Sequence, residues 1–150
     1  MSLIDLASSQ SAWRGYEYCL EKRVKKYKKI NDYCYQGVIE GANQYNVYID
    51  INHPRNSKCD CPFAMDRRVV CKHMICLYFE VFPNEKKKYY DEIIEAEAEQ
   101  EKYNALLCER VEKYIMKMNK NELQKELLNI LLDDYNDYIY DRFISEHGLD

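Results

Sequence analysis

Residues 58–73 carry the densest chemistry in this chain: Cys59-Asp60-Cys61-Pro62, then Arg67-Arg68-Val69-Val70-Cys71-Lys72-His73. One residue separates Cys59 from Cys61, nine separate Cys61 from Cys71, and one separates Cys71 from His73. Three thiolates and an imidazole form the closed tetrahedral set that a structural zinc site requires, and soft sulfur favours zinc over magnesium or calcium. Cys59 and Cys61 sit at the end of an extended segment, where positions i and i+2 face the same way, before Pro62 turns the chain. Cys71 and His73 sit where a helix begins, so peptide N–H groups there can donate to sulfur. Lys58, Arg67, Arg68 and Lys72 offset the negative charge of three thiolates and a dication. Catalytic zinc keeps one position open for water, and the chain has neither a deaminase nor a metalloprotease signature. The expected role is structural Zn2+, with no small-molecule substrate and no enzyme activity.

A second group of residues could meet a polyanion. Lys25, Lys26, Lys28 and Lys29 interleave with Tyr27, and Arg55, Lys58, Arg67, Arg68 and Lys72 flank the metal loop. Such residues can track phosphates while a ring stacks on a base, although a lysine-rich run also serves as ordinary solvated surface. Charge distribution sharpens the choice. The net charge of −4 divides into +3 over residues 1–58, +2 over 59–90 and −9 over 91–150. Any nucleic-acid contact must therefore use the first 90 residues, whereas the acidic remainder suits a basic protein partner.

The elements that position these groups follow from periodicity. Ser8 and Ser9 precede a short helix over 8–20, and Val24 to Ile30 repeats every three residues, fitting neither helix nor strand. Tyr33–Glu40 and Tyr45–Ile51 alternate around Gly41-Ala42-Asn43-Gln44, which predicts a β-hairpin. His73 to Phe82 reads as an apolar helix closed by Pro83. Asn84 opens a helix to about 118, Asn121 another to about 133, and a last amphipathic segment spans about 136–146. The expected fold class is α+β: a small β-hairpin or sheet plus a helix around a zinc site, residues 1–83, followed by an acidic α-helical extension, residues 84–150. Packing of that extension within the molecule is favoured, with Leu123, Leu127, Leu128 and Leu131 able instead to meet another helix.

Composition excludes other classes. With 47% hydrophobic and 32% charged residues in 150, the chain can bury a core and is not disordered as a whole. No run approaches the roughly 18 apolar residues that span a bilayer, and the opening residues lack a secretory pattern, so a cytoplasmic protein without a membrane partner is expected. Seven cysteines cannot pair completely, and Cys19, Cys34, Cys76 and Cys108, which lack ligand spacing, read as small hydrophobes. Absence of Thr beside 15 Tyr and many Lys, Asn and Ile points to an AT-rich, microbial genome.

Over roughly residues 10–82 the chain resembles the SWIM zinc finger. The resemblance rests on Cys59-x-Cys61-Pro62 and Cys71-x-His73-Met74, with Arg14-Gly15-Tyr16-x-Tyr18, Gly37-Val38-Ile39-Glu40-Gly41 and Tyr45-x-Val47 in the flanks. Asn121-Glu122-Leu123 to Leu128 is similar to a helical tail of some bacterial members. The resemblance implies a ββα zinc-binding fold with Cys59, Cys61, Cys71 and His73 as ligands, and binding to DNA or to other proteins. Such modules accompany Swi/Snf-type ATPases and Mutator-type transposases, and no such domain accompanies the finger in these 150 residues. The resulting expectation is a DNA-binding or other nucleic-acid-binding module, with a protein-interaction adaptor as the alternative.

Overall fold

The computed structural model describes residues 2–133 and 136–149. The chain divides into two compact units, Met1–Ile94 and Glu95–Asp150. A 3-10 turn at Ile4–Leu6 leads into α1 (Ser9–Leu20), followed by β1 (Val24–Lys29), β2 (Cys34–Glu40), β3 (Gln44–Asp50), a second 3-10 turn at Pro54–Asn56, and β4 (Lys58–Cys59). After the metal loop come α2 (Lys72–Val81), α3 (Pro83–Ile115), α4 (Lys120–Leu131) and α5 (Asp137–His147). The α+β class stands.

The sheet is antiparallel throughout, in the order β1-β2-β3-β4. The predicted hairpin is its centre, with Gly37 opposite Val47 and Ile39 opposite Tyr45. The basic stretch of unassigned period becomes edge strand β1, and its bulge explains the sequence. An extra residue between Val24 and Lys26 lets Val24 and Tyr27, three apart, share a face opposite Ile39 and Gly37. Lysines along this outermost strand discourage further strand pairing.

Within the first unit, α2 packs on one face of the sheet. Tyr35, Gly37 and Ile39 on β2 and Val47 and Ile49 on β3 face α2, whose residues His73 to Phe79 are all buried. A helix apolar on every side must be central, and α2 packs against all four strands and against α1. On its far side α1 buries Ala12, Gly15, Tyr16 and Cys19, at helical intervals. Ser8 accepts a bond from Ser11 N–H at 3.2 Å and so caps that helix.

The first unit runs past Pro83, where the sequence divides the chain, to Ile94. The opening turns of α3 supply rings to the core: Tyr90 stacks on Tyr16 at 5.4 Å and Tyr89 meets Phe79 at 5.2 Å. In the second unit the apolar side chains expected to turn inward stay largely exposed, including Leu106, Leu123, Leu127 and Leu128. Leu131 is the buried exception among the described residues there. Asn119, two residues before the expected start, caps α4 through a reciprocal capping box with Glu122.

Two expectations follow for the first unit. A Cβ at Gly15 would lie 2.5 Å from Ile75 Cβ and 2.9 Å from the Lys72 carbonyl oxygen, neither of which can swing aside. Gly15→Ala should therefore lower stability by about 1–2 kcal/mol in a thermal melt, despite the roughly 1 kcal/mol helix-propensity gain of Ala. Burial pushes the Tyr78 phenol up to about 12 from an ordinary 10.0. Because the unfolded chain ionises first, the contribution is complete below pH 10 and lost as pH climbs towards 12. An alkaline melting series with Tyr78→Phe as comparison measures it; equal pH dependence would contradict the assignment.

Candidate metal centre

Three short pieces of chain deliver the four residues. Cys59 ends β4, whose pairing with Val47 fixes it beside the inner sheet face. Cys61 lies in the turn that follows, where its carbonyl accepts from Ala64 N–H at 3.0 Å and Met65 N–H at 2.9 Å. Cys71 is the N-cap residue of α2, and His73 stands in the first turn of that helix. One ligand atom from each lies within 4.8 Å of the others, and all four residues are buried. His73 Nδ1 is 3.8 Å from Cys59 Sγ and 3.9 Å from Cys71 Sγ.

These separations suit a common ion. Zinc–sulfur bonds of about 2.3 Å and a zinc–nitrogen bond of about 2.0 Å imply tetrahedron edges of roughly 3.5–3.8 Å. The largest observed separation, 4.8 Å, exceeds that by about 1 Å. Thiol chemistry points the same way. Cys71 is held down to about 4, first by a hydrogen bond from Cys59 and further by His73 and the neighbouring Met74 N–H. Cys59 is pushed up by that shared bond and by burial, and Cys61 by burial and by the Cys71 charge. Three buried sulfurs cannot all ionise beside one another unless a cation joins them. The cluster can hold a metal ion, and its soft donors fit zinc.

The histidine is held by rings. Tyr45 stacks on it at 4.6 Å and Tyr18 lies tilted at 5.7 Å. Its Nε2 is buried without a hydrogen-bond partner, against Gly41, where a Cβ would come within 3.0 Å. Glycine at the hairpin turn thus admits the ring. Nδ1, the nitrogen nearer the sulfurs, is the one that can take a metal, which would leave the proton on Nε2. A cleft of about 210 Å³ lined by Arg14, Phe63, Cys61, Cys71 and His73 borders the cluster. Tyr18 and Tyr45 lie 55 and 28 residues from His73, so no local spacing in the sequence announces them.

The nine predicted phosphate contacts separate into groups. Lys25 pairs with Glu40, and Lys29 with Asp32 at 2.8 Å. Lys72 donates to the Tyr18 hydroxyl at 2.7 Å and lies 4.3 Å from its ring centroid, with the Arg23 guanidinium 4.4 Å from the same centroid. Its charge supports Tyr18, hence the histidine. Arg55 and Arg68 line one surface cavity with Pro54 and Val69. Lys58, Arg67 and Arg68 line another with Tyr48 and Asn46, and Lys26 and Lys28 line a third with Gln36 and Asn46. Cys19, Cys34 and Cys76 are buried, in keeping with small hydrophobes. Cys108, read the same way, is exposed on α3.

No family model matches the chain, and no match is found among curated proteins or among solved structures. No helix among the described residues is long and apolar enough to cross a membrane.

Native mass spectrometry of the purified chain should detect one bound metal ion, absent from Cys71→Ser. Because metal binding to comparable sites is worth about 10–16 kcal/mol and folding draws on it, chelation should lower the melting temperature sharply. An unchanged melting curve after complete metal removal would refute the structural role.

Proposed function

We propose that this protein is a zinc-stapled, non-enzymatic module of the SWIM type that binds nucleic acid, most naturally DNA, in the cytoplasm. The single supporting observation is the pairing of a buried Cys59/Cys61/Cys71/His73 cluster with cations that have no ion pair among the described residues, Lys58 just before the loop joining its ligands and Arg67 and Arg68 within it. Four protein ligands complete a zinc tetrahedron, leaving no position for a substrate or an activated water. Zinc when bound supplies cross-linking. The chain's own residues do the recognition: Tyr45 and Tyr18 pack on His73, Cys59, Cys61, Cys71 and His73 would hold the ion that closes the 59–71 loop, and that loop exposes Arg67 and Arg68.

A protein-interaction adaptor is the second reading. It is supported by the exposed Leu123, Leu127 and Leu128 on α4, in a segment whose net charge over residues 91–150 is −9. Such a surface repels phosphates and suits a basic partner.

Fluorescence anisotropy with labelled DNA and RNA at 50 and 200 mM salt separates the two. Phosphate binding by about five cations predicts an affinity loss on the order of 100-fold between those conditions. Absence of binding to either nucleic acid at the lower salt would overturn the first reading.

A further inference from the structure

The register of the sheet gathers chemistry that no single stretch of sequence contains. Lys28, Gln36, Tyr48 and Lys58 form one row across all four strands, and Lys26, Val38 and Asn46 form a second. Both rows have the parity opposite to Gly37, Ile39 and Val47, so they occupy the face turned away from α2. Lys26, Lys28, Gln36, Asn46 and Lys58 are exposed there. Arg67 and Arg68 stand at its β4 edge, in a groove shared with Tyr48 and Lys58. None of the five cations has an ion pair among the described residues. The acids nearby are mostly engaged: Glu40 by Lys25, and Asp60 by the Asn46 backbone and side-chain amides at 2.8 Å each, with Asp66 alone on the groove rim.

Tyr48 is set for stacking. Its hydroxyl contacts Cys34 Sγ at 3.0 Å, and Cys34 lies diagonally across on β2, whose residue opposite Tyr48 is Gln36. That bond carries the hydroxyl towards β2, and the ring belongs to the same cross-strand row as Lys28 and Lys58. Gln36 and the Asn46 side-chain oxygen supply hydrogen-bonding groups beside it.

We propose that this outer sheet face binds single-stranded nucleic acid, with Lys26, Lys28, Lys58, Arg67 and Arg68 on phosphates and Tyr48 stacked on a base. The proposal rests on the nucleic-acid reading above and names its surface and ligand class. Charge complementarity selects a polyanion, and shape selects a single strand. Four strands span roughly 14 Å, broader than the roughly 12 Å major groove that admits one helix or a two-stranded ribbon. A flat platform with one ring and flanking cations is instead the arrangement that receives unstacked bases.

The test is anisotropy with the full chain and a labelled oligonucleotide of ~12 nucleotides, single-stranded or annealed to its complement. The single strand should bind at least tenfold tighter than the duplex. Lys26→Glu with Lys28→Glu and Lys58→Glu should weaken it at least tenfold, whereas Lys25→Ala with Lys29→Ala should change it less than twofold. Tyr48→Leu should cost about tenfold and Tyr48→Phe should retain the stack. Melting curves check folding, and Arg67→Glu with Arg68→Glu, in an exposed loop, carries the test if the strand variants unfold. Undiminished binding by folded face variants, or preference for duplex, would overturn this proposal and leave the broader reading standing. No binding to either probe would overturn both.

Discussion

The convergence of three sulfurs and one imidazole at the start of α2 is the constraint on which the first unit depends. Those groups come from the end of β4, from the turn after it and from the first residues of a helix, so closing the cluster fixes a helix axis against a sheet edge. α2 then packs on every strand and on α1, and its position decides where nearly every core side chain goes. A unit of this size has a modest apolar core, and cross-linking relieves the demand on it. The same cluster is electrostatically unsettled without a cation, because the Cys59 proton is shared with Cys71 while burial opposes ionisation of Cys61.

Aromatic packing extends that order outward from the histidine. Tyr45 from β3 and Tyr18 from α1 both pack on the ring, and Lys72 and Arg23 both lie against the Tyr18 ring. A buried ligand ring packed by two aromatic neighbours loses little freedom on coordination. Tyr16, Phe79, Tyr89 and Tyr90 form a second aromatic group that binds the beginning of α3 to the α1/α2 layer. This explains why the first unit ends at Ile94 rather than at Pro83, where α3 begins: the helix is needed for its first rings.

Features governed by local spacing were legible in the sequence. The Cys/His set, the β2/β3 alternation around Gly41 and the apolar run Met74–Phe79 of α2 all announce themselves within fifteen or so residues. β1 was not legible, because its bulge converts a period of two into a spacing of three between Val24 and Tyr27. The second unit misled differently. Amphipathic periodicity identifies the apolar stripe of a helix, but not what covers it, and Leu123, Leu127 and Leu128 remain exposed. The basic residues were legible as a composition, whereas their division between paired and free charges depends on strand register.

That division is itself informative. Opposite charges placed directly across neighbouring strands stabilise a sheet, and like charges left without partners on one face do the reverse. At one end of β1 Lys25 meets Glu40, and at the other Lys29 meets Asp32, so acids do occur where they can neutralise this strand. Between those ends Lys26 faces Val38 and Lys28 faces Gln36, and at the opposite edge of the sheet Lys58 faces Tyr48. Each partner is neutral. Asp60, the carboxylate nearest the β3/β4 edge, is turned to the Asn46 amides rather than to a lysine. A face assembled for stability alone would exchange such neutral partners for acids at small cost, gaining up to about 1 kcal/mol per pair. Its lysines are instead left facing neutral residues in two rows, one of which includes Tyr48, an arrangement suited to a phosphate chain with accessible bases.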